Sequence, residues 1–455
     1  MNITGEGKRH LGAVIGSQNY KDEYCEGLIA EWEAELENLA EIAKSEPQAA
    51  YIALTKAYKS KFTYFMRTID SFDKYVTPID TLLSDKLLPA LFSEDDPFDA
   101  SLSELLTLPI KHGGLGIPNL KKDSGFQYEA SKAVTRTHVE SIVSQSSEML
   151  QHRKPPNVIK SEYRTKKEES ILKCIEEIDK TLSPRTARII EQTRDKGASS
   201  WLNAIPFENH GFSLTKREFR DSLRLRYNLR LKNLPSNCVC GHPFNVDHAL
   251  VCKKGGFVAQ RHDNIKNLLT SQLAKICKDV ESEPGLQPLD NEVFSLRSAN
   301  TSDDARLDIK AGGFWEKGVT AFFDVRVTHV NSNSNQNKAT SDIFRAQEEE
   351  KKRKYLQRII DVEHGHFSPL IFGTNGGIGK ECELFLKKLA NALSKRQDES
   401  YSNVMTWLRT KLSFEILKSV HVCIRGSRAP FKKSKNEEAR DPVEDCALNV
   451  FNAGL

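Results

Sequence analysis

Between Cys238 and Asn264 the chain reads CVCGHPFNVDHALVCKKGGFVAQRHDN, and these 27 residues hold three of its nine cysteines and three of its twelve histidines. Cys238, Cys240, His248 and Cys252 form a C-x-C-x7-H-x3-C pattern. His248 and Cys252 are four apart, so a single helical turn sets both on one face. Three thiolates and one imidazole make a closed tetrahedral zinc set with no open position, so the expected zinc is structural and catalysis must be sought elsewhere. The C-x-C spacing is tighter than in common zinc sites, and His242 is an alternative donor. The plainer alternative is a small core of unliganded cysteines.

A second group lies downstream. Asp308 sits in ARLDI and Asp324 in VTAFFDVRV, two strand-like runs separated by the turn-like KAGGFWEKG. Alternation along the second run sets Asp324 and Arg326 on one face. Two carboxylates on neighbouring strands suit Mg²⁺, which takes one or two protein carboxylates and leaves room for water and phosphate. Such a metal acidifies a water and polarises a phosphodiester. Arg326 can stabilise developing charge but cannot act as a base. The helix-like EEEKKRKYLQRII offers Lys351, Lys352 and Lys354, with Tyr355 one turn on. Glu281 and Glu283 are candidates for a further metal ligand. On spacing alone, surface or turn-capping aspartates explain the pair equally well. GTNGGIGKE imitates a phosphate-binding loop but fails, with five residues between Gly373 and Gly379 and Glu381 in the Ser/Thr position.

The elements that must position these groups follow from periodicity. Residues 20–105 carry helical spacing broken at Pro47, LPIKHGGLGIPNL marks a turn-rich patch, and residues 125–200 return to helix. The mixed-charge run KSEYRTKKEESILKCIEEIDK in that part reads as a solvated helix face. LTKREFRDSLRLRYNLRLK concentrates Arg217, Arg220, Arg224, Arg226 and Arg230 beside aromatic residues, and a helix of that composition suits a phosphate backbone. Arginine stems covering apolar neighbours are the alternative. Strands and helices then alternate through FSPLIFG and KECELFLKKLANALSK, predicting an α/β region. A poorly ordered tail is expected from 427 to 455.

Composition narrows the class. The 455 residues allow two or three domains, 28% are charged, and mean hydropathy is −0.50. No run of about 18 apolar residues predicts a membrane span, and the first residues lack the apolar core of a secretory signal. The odd cysteine count does not resemble a disulfide framework, so an intracellular, reducing setting is expected. The net charge of +4 says little about partners.

Taken together, the cysteine–histidine cluster, RHDNIKNLL, ARLDI and FFDVRV resemble the C-terminal region of non-LTR retrotransposon polyproteins that carry a restriction-like endonuclease. GKRHLGAVIGSQNY, KFTYFMRTI and LPIKHGGLGIPNL are similar to the stretch after the polymerase palm in those reverse transcriptases. The resemblance spans roughly residues 7–425. It implies an α+β multidomain chain: a thumb-like helical region at 1–105, a helical connector at 106–200, a basic helix with a zinc knuckle at 201–255, and a restriction-endonuclease-like α/β domain at 256–426. Cys238, Cys240, His248 and Cys252 become zinc ligands. Asp308 and Asp324, with Glu283 as a further candidate, become magnesium ligands. Lys352 with Tyr355, and Lys351 close behind, fit the catalytic lysine–tyrosine helix. Arg261 and His262 join the basic helix as nucleic-acid contacts.

Two departures stand out: Leu307 replaces the family's proline before Asp308, and Arg326 stands where lysine completes an Asp-x-Lys. No Tyr-x-Asp-Asp occurs, so the chain is not expected to polymerise DNA by itself. The expected partners are target DNA, the element RNA and a palm-bearing polypeptide in trans, and the expected compartment is the nucleus. Nicking DNA for target-primed reverse transcription is the implied activity, with a catalytically inert, zinc-stabilised binding remnant as the rival.

Overall fold

The computed structural model describes residues 5–145, 155–287 and 306–428. A short hairpin, β1 (Gly7–His10) and β2 (Ala13–Gly16), leads into α1 (Gln18–Ser45), whose start is capped by Ser17 accepting from the Tyr20 amide. Cys25, Leu28, Ile29, Trp32, Leu36, Leu39 and Ala43 recur at helical spacing and bury one stripe of α1. Pro47 opens α2 (Pro47–Ile52), which suits a residue lacking a backbone donor. The chain continues through α3 (Lys59–Thr68), α4 (Thr77–Leu82), α5 (Leu88–Phe92) and α6 (Ala100–Thr107). The turn-rich patch is a compact loop in which a Cβ on Gly114 would lie 1.9 Å from the Leu108 carbonyl oxygen. Only glycine fits there. Then come α7 (Leu120–Val143), α8 (Pro156–Thr181) and α9 (Pro184–Gln192).

The basic stretch forms α10 (Lys216–Arg226), closed by a capping box between Thr215 and Glu218. α11 (Val246–Val251) and α12 (Phe257–Leu273) follow. A four-stranded sheet comes next, with β3 (Lys278–Ser282), β4 (Ile309–Gly312), β5 (Thr320–Thr328) and β6 (His366–Gly373) in spatial order β3-β4-β5-β6. β3, β4 and β5 pair antiparallel, and α13 (Thr340–Asp361) crosses over so that β6 pairs parallel to β5. α14 (Lys380–Gln397) and α15 (Tyr401–Arg425) complete the described chain.

The architecture is thus mixed α+β, with a large helical part and a small mixed sheet. Ile309, Ala311, Ala321, Phe323 and Val325 turn one sheet face toward α12, α14 and α15. Phe322 and Phe367 turn the other toward Tyr355 and Ile359 of α13. This period-two alternation buries both faces of β5.

Two large cores meet near residue 230, and Phe414 of α15 reaches back into the first. Phe219, Leu223 and Tyr227 of α10 belong to the N-terminal helical core, whereas Ala249 and Leu250 of α11 belong to the sheet-bearing core. Within 201–255, expected as one basic-helix-and-knuckle unit, α10 packs into the first core and α11 into the second. The tail beyond Arg428 lies outside the described residues. No helix among the described residues is long and apolar enough to cross a membrane.

Candidate functional site

The cysteine–histidine cluster is built by a tight turn and a short helix. The Cys238 amide donates to the His242 carbonyl at 2.9 Å, and Gly241 adopts a left-handed φ of 90° so that its amide returns to the Cys238 carbonyl. Asn245 caps α11 by accepting from the His248 amide at 2.8 Å, and Cys252 ends that helix one turn after His248. One donor atom from each of Cys238, Cys240, His248 and Cys252 lies within 4.8 Å of the others.

The fit to zinc can be tested by distance. Zn–S near 2.3 Å and Zn–N near 2.0–2.1 Å in a tetrahedron require S···S of about 3.8 Å and S···N of about 3.5 Å. Cys238 Sγ and Cys252 Sγ are 3.9 Å apart, and Cys240 Sγ is 3.3 Å from His248 Nε2. The four side chains can hold a metal and suit structural zinc. His242, whose Nδ1 lies 3.6 Å from Cys240 Sγ, stands beside the set rather than in it. The Cys238 thiol is pushed down to about 6, first by the Cys240 backbone amide, with His248, Cys240 and Cys252 adding to it. A thiolate is the form a metal requires.

The two aspartates lie near enough for the charge of Asp308 to act on Asp324. Ile309 pairs with Phe323 and Lys310 with Phe322, and the register ends there: the Asp308 amide donates to the Phe323 carbonyl at 3.2 Å, one residue before Asp324. Asp308 precedes the first residue of β4 rather than lying within a long strand. Its Oδ2 accepts from the Val325 amide at 2.6 Å and from His262 Nε2 at 3.1 Å. His262 Nε2 also lies 3.1 Å from the Val325 carbonyl oxygen, which only accepts, so Nε2 carries the proton. Burial opposes the charged form of His262, but hydrogen bonds and charges from Asp308 and Asp263 outweigh it and raise its pKa.

Asp324 is 5% exposed. Lys351 Nζ approaches its two oxygens at 2.9 Å (Oδ2) and 3.2 Å (Oδ1), but only the contact to Oδ1 has hydrogen-bond geometry. Oδ2 is buried with an ion-pair neighbour and no hydrogen-bond donor. Burial raises the pKa of Asp324, Lys351 pulls it back, and the nearby charge of Asp308 raises it again. Two carboxylates, a lysine and a histidine, from β5, α13, α12 and the residue before β4, therefore lie near one another.

Several expectations need correction. Lys352 turns away to Glu381 at 2.6 Å, so Lys351 is the lysine beside the aspartates. Tyr355 is buried against Phe322 and Phe367, with Lys351 Nζ 5.7 Å from its ring centre, and serves packing. Arg326 pairs with Glu350 at 2.9 Å. Glu283 is held by Lys266 at 2.6 Å and Arg306 at 3.0 Å, and Glu281 lies 3.6 Å from Lys310. Glu283 meets Asp308 only through the backbone, its amide donating to the Asp308 carbonyl at 2.8 Å, while its carboxylate is turned to Lys266 and Arg306.

The basic helix is mostly structural. Arg224 and Arg226 are 5% and 7% exposed, donating to Phe92, Arg230 and Gly114 carbonyls, with Arg224 also paired to Glu94. Arg220 donates to the carbonyls of Ala43, Lys44 and Ala90. Arg261, 2% exposed, donates twice to the Leu250 carbonyl and ties α12 to α11. Arg224, Arg226 and Arg261 are turned inward to buried carbonyls and away from a phosphate backbone, whereas Arg220 is half-buried and commits only its Nη2. Arg217 and Arg230 remain exposed.

The role of His262 as a carboxylate holder was missed. Its signal was adjacency to Asp263 on a helix with a buried face at Ile265 and Leu269, which fixes the direction of His262 only once the sheet is placed. A scan against protein-family models and a search of curated proteins return no match to this chain.

Proposed function

We propose that the sheet-bearing part is a Mg²⁺-dependent DNA endonuclease of the restriction-like kind, held together beside its site by structural zinc. The observation that carries this reading is Asp324, a buried strand carboxylate whose Oδ2 has Lys351 as an ion-pair neighbour but makes no hydrogen bond, with the charge of Asp308 nearby. The order α12–β3–β4–β5–α13–β6, with acids at adjacent strands and the lysine on the following helix, supports it.

The donor set fits a hard divalent cation. Asp324 would offer its unhydrogen-bonded Oδ2, and Asp308 its Oδ1, since Oδ2 is committed to Val325 and His262. When bound, magnesium supplies charge for the scissile phosphate and an acidified water. His262 holds the Asp308 carboxylate in one orientation. Lys351 offers an ammonium donor for a phosphate oxygen or the attacking water, standing where the Asp-x-Lys lysine of related nucleases is replaced by Arg326. The buried arginines of α10 do not contact DNA in this reading; Arg217 and Arg230 do, through phosphates. The wider role is that of the resemblance: a nick leaving a 3′-hydroxyl for target-primed reverse transcription, in the nucleus, with element RNA and a palm-bearing polypeptide as partners.

Conversion of supercoiled plasmid to the open circle in Mg²⁺ tests the activity. The full chain nicks, and Asp308→Asn, Asp324→Asn and Lys351→Met each reduce the rate at least about a hundredfold. Binding of DNA with no nicking by the unaltered chain would leave only an inert scaffold and overturn the proposal.

A further inference from the structure

A groove of about 510 Å³ runs between α3, α7 and α8 in the N-terminal helical part. Four of its eleven lining residues are cations (Arg67, Lys160, Arg164, Lys167) and none is acidic. Arg67 donates to Gln127 on the groove wall, and Lys167 pairs with Asp123. Lys160 and Arg164 are exposed and have no ion pair among the described residues.

Lys160, Arg164 and Lys167 follow i, i+4, i+7 and fall within about 60° of one another on the helix. The opposite side carries Glu162 with Lys166, Glu169 with Lys173 and Glu176 with Lys180, the i, i+4 spacing of an ordinary solvated face. On the groove side Glu168, four residues after Arg164, is taken by Lys111 and His112, which leaves the cations toward the groove. The three cations climb roughly 10 Å along the axis, a row able to follow a phosphate backbone. Two half-buried aromatic residues, Phe126 on α7 and Tyr163 on α8, line the same groove.

We propose that this groove binds single-stranded nucleic acid. The cations take successive phosphates, and Tyr163 and Phe126 give unpaired bases a stacking platform. A duplex keeps its bases stacked inside and has no use for the aromatic walls. The site is remote in sequence from the aspartates and does not depend on the nuclease reading.

Fluorescence anisotropy with a labelled twenty-nucleotide single strand, using the full chain without Mg²⁺, tests this directly. Lys160→Glu/Arg164→Glu is expected to weaken binding at least tenfold and to lower the slope of log affinity against log salt by about 1.4. The control Lys173→Glu/Lys180→Glu changes the same charge on the mixed-charge side of α8, away from the groove, and is expected to weaken binding less than threefold. Tyr163→Ala is expected to lose about tenfold and Tyr163→Phe to retain binding. Equal losses in the groove variant and the control would overturn the proposal. So would equal effects of the groove variant on a duplex of the same length, or displacement of the strand by polyglutamate as readily as by unlabelled strand. All four variants replace exposed or half-exposed side chains, and retained helical circular dichroism verifies their folding.

Discussion

Replacing Lys351 with methionine isolates the interaction on which the carboxylate site rests. The ammonium lies 2.9 Å from Asp324 Oδ2, with side-chain exposures of 20% and 7%. At an effective dielectric of about 20, that separation corresponds to about 6 kcal/mol of attraction. Desolvation of both ions takes back part of it, yet removing one partner strands a buried charge, which costs about 3–5 kcal/mol. The partial exposure of Lys351 favours the lower end, about 3 kcal/mol.

The pH dependence follows from the sign. Asp324 already has a raised pKa, first through burial, and loss of Lys351 raises it further. The penalty is therefore full where the carboxylate is charged and disappears as pH falls through the variant's pKa, because protonation removes the stranded charge. Urea unfolding followed by circular dichroism at pH 8 and pH 5 measures both limits. Lys351→Met is expected to lose about 3 kcal/mol at pH 8 and much less at pH 5. Lys351→Met/Asp324→Asn is expected to recover most of the loss at pH 8. A double variant as unstable as Lys351→Met, or a single variant within about 0.5 kcal/mol of the unaltered chain at pH 8, would refute the reasoning.

The zinc cluster predicts about one zinc per chain by native mass spectrometry, lost in Cys252→Ser, with a lower Tm that added zinc does not restore. Asp195, raised to about 6 first by burial and held by Asn375 Nδ2 at 2.9 Å, predicts a second pH effect. A raised carboxylate pKa destabilises the fold above that value, so stability contributed by protonated Asp195 is lost as pH rises from about 4 through about 6. Asp195→Asn is expected to be more stable than the unaltered chain by about 1–2 kcal/mol at pH 8 and equal to it near pH 4. A constant difference across that range contradicts the assignment.

Much of the sheet was legible because period-two alternation is local. The run around Asp324, the crossover helix and FSPLIFG became β5, α13 and β6, whereas β4 keeps only Ile309 of ARLDI and takes its other residues from the stretch read as a turn. The ligand cluster was legible for a similar reason, since His248 and Cys252 share a helical turn and Gly241 permits the tight cysteine loop. β3 was not, because KDVES is polar and its five residues show no strongly apolar face.

The arginines of α10 misled because composition does not encode direction. Arg224 and Arg226 alternate with Leu223, Leu225 and Tyr227 on a helix packed on several sides, so guanidinium groups reach inward to cap orphan carbonyls. The choice between Lys351 and Lys352 depended on the angle of α13 to β5. The buried stripe Phe344, Glu348, Tyr355 and Ile359 passes between positions 351 and 352, so spacing along the helix does not choose between them.

The central claim is that Asp308 and Asp324 share one divalent cation. A crystal grown with Mn²⁺, examined for anomalous scattering, tests it without reliance on turnover. The account predicts one strong peak with an oxygen of each aspartate about 2.1–2.2 Å away, His262 still on Asp308 Oδ2, and Lys351 adjacent. A peak held by neither aspartate, or by Asp308 alone with Asp324 still closed against Lys351, would contradict it.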